Sequence, residues 1–454
     1  MSTIAAISTG NTVSAIGVLR VSGPEALAAA DAVFRPADGR RLSDHPRRTM
    51  VYGALLDREG RTIDQALAVT FAAGHSYTGE DSAEFHCHGS PVVLDQGLRA
   101  LFAAGAVQAG RGEFTKRAFL NGKLDLTQAE AVIDLIESET ADAARNAVEQ
   151  LGGSLRRRME GIYDGLLEIS SRFYAVVDYP DEDIPDLDRE EIRRTLGEAE
   201  AALRALLATA DRGQVLKSGV PTAIVGRPNV GKSSLLNALV GYDRAIVTDV
   251  AGTTRDTVEE KAVVGGVLLR LIDTAGIRET ADQVERIGVA RSRAAVEQAS
   301  LLLVLVDGSC PLGAEDREIL ALARDSGKPW ILVLTKKDLA GEAAPVPAEK
   351  AEAVVSLSAR TGEGLEALEQ AVAARFPAGE TPAGQVLTNA RQAEAMGRAA
   401  AAIAGARSAL DLGFTPDAIL TDVESAMNAL GELTGRTARE DMVSRIFQRF
   451  CVGK

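Results

Sequence analysis

Eight consecutive residues, GRPNVGKS at Gly226–Ser233, fit the GxxxxGK(S/T) pattern of a phosphate-binding loop, or P-loop. They follow an apolar run at Thr222–Val225 and precede Ser234–Leu239, which favours a helix. Backbone N–H groups in such a loop converge on phosphate oxygens, and the N-terminus of the helix adds positive potential. The pattern therefore predicts that Lys232 reaches the β- and γ-phosphates of a nucleoside triphosphate and that Ser233 ligates Mg²⁺.

Two later motifs predict that the base is guanine. Thr335–Asp338 (TKKD) ends the apolar run Trp330–Leu334, and Asp338 can accept hydrogen bonds from the N1–H and the 2-amino group of guanine. Adenine lacks this pair of donors, so the carboxylate would remain unpaired with ATP. Ser358–Arg360 (SAR) follows another apolar run and can close over the base.

The switch elements of a GTPase lie between the P-loop and TKKD. Gly252–Asp256 (GTTRD) contains Thr254, the predicted switch threonine on Mg²⁺. Asp273–Gly276 (DTAG) follows an apolar run, and there Asp273 can hold the water shell of the metal while the Gly276 N–H senses the γ-phosphate. We predict nucleotide contacts from Asn229, Val230, Gly231, Lys232, Ser233, Ser234, Thr248, Asp249, Val250, Ala251, Gly252, Thr253, Thr254, Asp273, Thr274, Ala275, Gly276, Thr335, Lys336, Asp338, Ser358, Ala359 and Arg360.

Two residues depart from the usual motifs. Thr335 stands where the guanine motif usually has Asn; because a hydroxyl replaces only part of the amide's hydrogen bonding, we expect weaker nucleotide affinity. Ile277 stands where Ras-like proteins carry a water-orienting Gln, so another group must complete the site. Glu285 is the candidate for this group; alternatively, Glu285 is only a solvated residue of the switch segment. Asn229 can hold a monovalent cation against the phosphates or serve only as a turn residue.

Length and charge limit the remaining possibilities. A chain of 454 residues suggests about three domains. Its 64 acidic and 50 basic residues give a net charge of −14, which argues against binding nucleic acid through bulk charge. The longest apolar run, Leu301–Val306, is far too short to span a bilayer, and Met1–Gly10 has no basic region typical of a signal peptide. Three widely spaced cysteines suit a reducing compartment.

The pattern of apolar residues along the chain predicts a multidomain α/β and α protein. Residues 1–118 mix short β-like runs with turns, which indicates a small α+β domain. Residues 119–215 and 380–454 have helical spacing, including a helical segment over Leu126–Leu151. Residues 216–379 alternate apolar runs with helical patterns, as in a doubly wound α/β domain. We expect one discontinuous helical domain with the α/β domain inserted, although two separate helical domains would look similar.

Five segments together resemble the MnmE (TrmE) family of tRNA uridine-5-carboxymethylaminomethyl modification GTPases, over essentially the whole chain. They are GRPNVGKSS, DVAGTTRD, DTAGIRETADQVERIG, AFLNGKLDLTQAEAV and the terminal FCVGK. The resemblance implies an N-terminal tetrahydrofolate-binding and dimerisation domain, a discontinuous helical domain and an inserted Ras-like P-loop G domain. It implies a cytoplasmic, potassium-stimulated GTP hydrolase that forms a homodimer. With the FAD-bearing partner MnmG (GidA), in a heterotetramer-type complex, it would modify position 5 of the wobble uridine in certain tRNAs.

The resemblance also implies roles for single residues. The one-carbon unit would come from a 5-formyl or 5,10-methylene tetrahydrofolate, held by Arg20, Glu84, Lys123 and Lys454. Potassium would be held by Asn229, Thr248, Val250 and Thr253, beside Mg²⁺ on Ser233 and Thr254. Glu285 matches the family's catalytic glutamate, and Cys451 matches a family cysteine once proposed as catalytic.

The alternative hypothesis is a GTP-switched ribosome-assembly or RNA-binding factor without group-transfer chemistry, whose G domain would look similar. The folate-type residues and the FCVGK tail favour the modification enzyme. The absence of a membrane segment argues against a membrane-associated GTPase. His86, Cys87 and His88 have no further ligands near in sequence, so we interpret them as structural, and we assign Cys87 and Cys310 to packing.

Overall fold

The computed structural model describes residues 1–10, 12–178, 188–242, 260–272, 288–339, 346–377, 382–437, 440–448 and 450–453. They form two compact units. The first comprises Met1–Ile133, Gln150–Arg204 and Glu394–Lys454, and the second comprises Asp134–Glu149 and Ala205–Ala393. The three-domain boundaries stay a prediction.

A seven-stranded sheet of order β3-β4-β5-β6-β2-β1-β7 organises the N-terminal part of the first unit. Its strands are β1 (Ile4–Ile7), β2 (Ser14–Ser22), β3 (Phe34–Pro36), β4 (Val51–Leu56), β5 (Thr62–Phe71), β6 (Ser82–Gly89) and β7 (Val107–Gln108). Neighbours pair antiparallel, except that β1 and β7 are parallel. The sheet confirms the predicted α+β class.

The two faces of this sheet differ in polarity because side chains alternate along each strand. The helices Ala26–Val33 and Pro91–Ala103 pack with one face in a shared core that includes Leu19 and Phe85. The other face carries the exposed side chains of Ile16, Tyr52 and Leu67. At β1 this second face is also buried, because Ile4 and Ala6 pack with Phe114 of the helix Glu113–Leu120. Helices therefore cover one face of the sheet and the β1 end of the other.

The described residues contain eight further α-helices besides those that cover whole faces of the two sheets. They are Glu113–Leu120, Leu126–Ile136, Ala141–Leu151, Ser154–Asp178, Arg189–Leu207, Ala390–Asp411, Pro416–Thr434 and Glu440–Phe447. Leu196, Ala199 and Leu203 are buried along one side of Arg189–Leu207, as their spacing predicts. None of the helices in the described ranges is long and apolar enough to cross a membrane.

The helical segment predicted over Leu126–Leu151 is two helices. The Ser138 hydroxyl donates to the carbonyl of Leu135 at 2.8 Å, and the Thr140 hydroxyl accepts from the Ala143 N–H at 3.2 Å. Short hydroxyl side chains compete with helical backbone hydrogen bonds and favour the start of a new helix. The break between Ile136 and Ala141 follows from these local contacts.

A six-stranded sheet of order β13-β12-β11-β8-β10-β9 lies at the centre of the second unit. The strands are β8 (Val220–Val225), β9 (Glu260–Val264), β10 (Val267–Ile272), β11 (Leu301–Asp307), β12 (Trp330–Thr335) and β13 (Ala353–Ser356). Only β9 pairs antiparallel among these strands; the rest are parallel. The apolar runs Thr222–Val225, Leu301–Val306 and Trp330–Leu334 thus lie in neighbouring strands of one sheet.

Helices cover both faces of this sheet. Leu303 and Leu305 of β11 point into one core, and Leu302 and Val304 point into another, so the strand is buried on both sides. The helices that cover the two faces are Ala210–Ser218, Lys232–Tyr242, Gly288–Gln298, Ala314–Asp325 and Leu365–Arg375. This confirms the doubly wound α/β class. In such sheets ligands bind at the carboxyl edge of the strands.

Candidate functional site

The predicted P-loop connects the end of β8 to the helix Lys232–Tyr242. Asn229 has a φ of 58° and Gly231 a φ of 108°, so the loop turns sharply through left-handed backbone. A Cβ at Gly226 would lie 2.8 Å from Val230 Cγ1 and 2.9 Å from the Leu305 carbonyl oxygen, which leaves room only for glycine. The sequence and the packing therefore agree on the loop.

Lys232 lies over the P-loop. Its ammonium Nζ donates to the carbonyl oxygens of Gly226 at 2.7 Å and Arg227 at 2.9 Å. Burial lowers the pKa of Lys232, against the raising effect of Glu315. These contacts hold the cation against the loop, where the motif requires it to meet phosphate.

Thr335, the residue that departs from the guanine motif, contacts the P-loop directly. It ends β12 and is buried, and its hydroxyl donates to the carbonyl of Val230 at 2.7 Å, with the Val306 carbonyl at 3.2 Å. A hydroxyl has one hydrogen to donate, and here protein carbonyls accept it. The residue therefore joins the guanine motif to the P-loop and has no second hydrogen for a nucleotide.

The Asp338 carboxylate, which is predicted to recognise guanine, has a cationic partner. Arg360 Nη2 donates to Asp338 Oδ2 at 2.6 Å. Hydrogen bonds from the Ser358 hydroxyl and from Arg360 hold the pKa of Asp338 below its usual value. Ser358 is buried and Ala359 is half-buried beside it. The TKKD and SAR motifs thus meet at this carboxylate, and its recognition of guanine stays a prediction.

Sequence reasoning missed an acidic residue at the centre of this edge. Asp307 ends β11, and its carboxylate accepts from Lys336 Nζ at 2.7 Å and from the Ser309 hydroxyl at 2.6 Å. Burial alone would raise the pKa of Asp307, but these hydrogen bonds lower it to about 2. The available signal was an aspartate directly after an apolar run in a parallel sheet, the same signal that singled out Asp273.

Several predicted site residues lie outside the described residues. They are Thr248, Asp249, Val250, Ala251, Gly252, Thr253, Thr254, Asp273, Thr274, Ala275, Gly276, Glu285 and Lys454. The structure brings the P-loop, TKKD and SAR to one edge of the sheet. Ser233 and Ser234 are exposed in the first turn of the helix after the loop, and Asn229 is exposed on the loop itself. The magnesium and potassium ligand sets stay predictions.

A second cluster lies in the first unit, where the resemblance implies folate contacts. Arg20 on β2 and Glu84 on β6 are directly opposite in the register, and Arg20 Nε lies 2.8 Å from Glu84 Oε1. The Arg20 guanidinium lies 5.5 Å from the ring centres of both Tyr77 and Phe114. Lys123 Nζ donates to the carbonyl of Gly74 at 2.9 Å, in the loop that also carries Tyr77. The structure therefore places all three described folate candidates around one loop.

The histidines beside this cluster have carboxylate partners. His86 Nε2 lies 3.7 Å from Glu84 Oε2, and His88 Nδ1 lies 2.9 Å from Asp64 Oδ1. Cys87 points to the buried face, where burial, and secondly the charge of Asp64, raise the pKa of its thiol to about 12. Within the part of the chain that the structure describes, no group of three or more His, Cys, Asp or Glu is placed to hold a metal ion.

The two other cysteines are exposed. The assignment of Cys310 to packing is wrong: it follows β11 on the surface, and Arg227 Nη2 donates to its sulfur at 3.1 Å. A short polar turn after a strand places its side chains outside the core. The Cys451 carbonyl accepts from the Gly112 N–H at 3.2 Å, and its catalytic role stays a prediction.

A P-loop, a TKKD motif and an SAR motif at the carboxyl edge of a doubly wound sheet define a P-loop GTPase. Residues 126–451 match the family model of the MnmE helical domain, and residues 3–123 match that of the GTP-binding protein TrmE N-terminus. The chain belongs to the MnmE family of tRNA modification GTPases, and it is a GTP hydrolase that acts in tRNA modification.

Full-length relatives support this membership. The tRNA modification GTPase MnmE of Symbiobacterium thermophilum is 44% identical, covering 100% of this chain and 99% of its own. That of Heliobacterium modesticaldum is 42% identical with the same coverage, 100% and 99%. That of Lactobacillus delbrueckii is 44% identical, covering 100% of this chain and 98% of its own. These relatives favour tRNA modification over ribosome assembly.

Proposed function

We propose that this protein is a potassium-stimulated GTPase that works with the FAD-dependent partner MnmG. The two proteins would add the carboxymethylaminomethyl group at position 5 of the wobble uridine in certain tRNAs, with a one-carbon unit from tetrahydrofolate. The cytoplasm, where tRNA is modified, is the proposed location. The observation that carries the folate part is the Arg20–Glu84 pair beside two aromatic rings.

The chemistry of the Arg20–Glu84 pair suits a folate. The amidine edge of a pterin donates two hydrogen bonds, and the Glu84 carboxylate, which Arg20 holds in place, can accept them. The glutamyl carboxylates of a folate require cations. Lys123 can supply one, because its Nζ donates to the carbonyl of Gly74 in the loop that also carries Tyr77. The Glu84 side chain is 20% exposed, so a ligand can reach it from the face of the sheet that carries Tyr52 and Leu67.

The same face supports the proposed homodimer. Strand register places Tyr52 beside Leu67 and Leu67 beside His86, across β4, β5 and β6. Tyr52 is 56% exposed and Leu67 is 41% exposed. An exposed apolar patch on an antiparallel sheet commonly marks an interface between proteins. We assign it to a second copy of this chain, with the folate pair at its border.

The experiment that tests the folate proposal is calorimetric titration of the full-length protein with 5-formyltetrahydrofolate. Glu84→Gln keeps the shape but removes the charge, so affinity should fall on the order of tenfold or more. Glu59→Gln is the matched control, because Glu59 is an exposed acid in the same sheet domain. Unchanged affinity in Glu84→Gln, or no binding by the wild type, would show that the pair does not hold folate.

A further inference from the structure

We propose that Asp307 is a positioning residue for nucleotide binding, which keeps the P-loop and the TKKD motif in one arrangement through Arg227 and Lys336. The proposal rests only on the GTPase class of the protein. It does not depend on the folate or potassium assignments.

The sheet order places Asp307 between the two motifs. β11 lies between β8, which leads into the P-loop, and β12, which leads into TKKD. Asp307 is the register partner of Thr335, the first residue of TKKD, and the Gly308 N–H donates to the Thr335 carbonyl at 2.9 Å. A side chain at the end of β11 can therefore contact both neighbouring loops.

The Asp307 carboxylate contacts a cation from each motif. Oδ2 lies 2.7 Å from Lys336 Nζ and 3.5 Å from Arg227 Nη2, while Oδ1 accepts from the hydroxyl and the N–H of Ser309 at 2.6 and 3.0 Å. The Asp307 side chain is only 7% exposed. Water therefore competes poorly for the carboxylate, and removal of its charge would leave two cations without this partner.

The two cations depend on Asp307 to different degrees. Arg227 also lies 3.1 Å, through Nε, from Oδ1 of the buried Asp316, so it keeps an anionic partner without Asp307. Lys336 has a φ of 58°, a backbone conformation that non-glycine residues adopt only when their surroundings hold them. Since Lys336 lies between Thr335 and Asp338, loss of its ion pair should loosen the guanine motif more than the P-loop.

The test is the rate of release of a fluorescent GDP analogue from full-length Asp307→Asn, measured together with steady-state GTP hydrolysis. Release should be about tenfold to hundredfold faster, while kcat at saturating GTP changes less than about threefold. Asp325→Asn is the matched control, because Asp325 pairs with Arg324 on the exposed surface of the same unit. This control should release GDP at the wild-type rate.

Two results would overturn the proposal. One is release of GDP from Asp307→Asn at the wild-type rate. The other is a fold-decrease in kcat as large as the fold-increase in the release rate, which would indicate general damage to the fold. If Asp307→Asn does not fold, Lys336→Gln tests the other end of the ion pair and should release GDP faster than wild type. Wild-type release from folded Lys336→Gln would equally overturn the proposal.

Discussion

The nucleotide site lies along the carboxyl edge of a parallel sheet, whereas the Arg20–Glu84 site lies on the face of an antiparallel sheet. At the edge, each strand ends in a short contiguous motif, and parallel strands bring those motifs together. On the face, the two charged residues are 64 positions apart in the chain and meet only through strand register. A site of contiguous motifs can be recognised from the residues themselves, whereas Arg20 and Glu84 were named only through the resemblance to a family.

The largest expected effect tests whether the two sites are separate. Lys232→Ala removes the ammonium that is predicted to meet the β- and γ-phosphates, so GTP binding should weaken by about a hundredfold or more and hydrolysis should be lost at ordinary GTP concentrations. The proposed folate binding should be unchanged, because Lys232 and Glu84 belong to different units. Nucleotide affinity by equilibrium titration and folate affinity by calorimetry would check both statements. A parallel loss of folate binding would show that the sites are coupled.

Potassium dependence is the next largest effect, and it concerns the nucleotide site alone. If Asn229 helps hold a cation that offsets charge in the transition state, GTP hydrolysis should be about tenfold faster in potassium than in sodium. Glu285→Ala should lower kcat strongly with little loss of GTP affinity. Phosphate release measured in each salt, with the salts at equal ionic strength, checks the first statement. Equal rates in the two salts would contradict the cation assignment.

A smaller, favourable effect is expected at Thr335. The hydroxyl donates its single hydrogen to protein carbonyls, whereas an Asn amide has two hydrogens and can keep one such contact while donating elsewhere. Thr335→Asn should therefore slow GDP release by about threefold to tenfold. Thr335→Ser, which keeps the hydroxyl, is the matched control. Faster release from Thr335→Asn would mean that the buried site cannot accept the larger side chain.

The smallest effect on activity is expected from changes of pH near neutrality. The pKa of Asp307 is depressed in the folded state, so its contribution to stability is present above its ordinary value of 3.8 and is lost as pH falls through about 2. The difference between those values corresponds to about 2 kcal/mol of unfolding free energy. Between pH 6 and 8 Asp307 stays ionised, so its titration should not change the affinity for GTP. Thermal unfolding of wild type and Asp307→Asn should differ at pH 7, and the difference should shrink towards pH 2.

Particular residues show where sequence reasoning succeeded and where it stopped. Lys232, Thr335 and Asp338 were singled out because each belongs to a motif with a known partner chemistry; the structure places them at one edge of the sheet, and their nucleotide contacts stay predictions. Cys310 was wrongly assigned to packing because residue type alone favours burial, while its position in a polar turn exposes it. Asp307 was missed because it belongs to no motif and acquires its role from neighbours on other strands.

The sequence by itself determined the phosphate-binding loop, the choice of guanine and the family. These properties depend on local residue types at fixed spacing, which an extended chain already contains. Tertiary structure decided that Arg20 faces Glu84, that Asp307 lies between Arg227 and Lys336, and that the Thr335 hydroxyl donates to the P-loop. Strand order and register set these contacts, and both depend on burial of side chains that are distant in the chain.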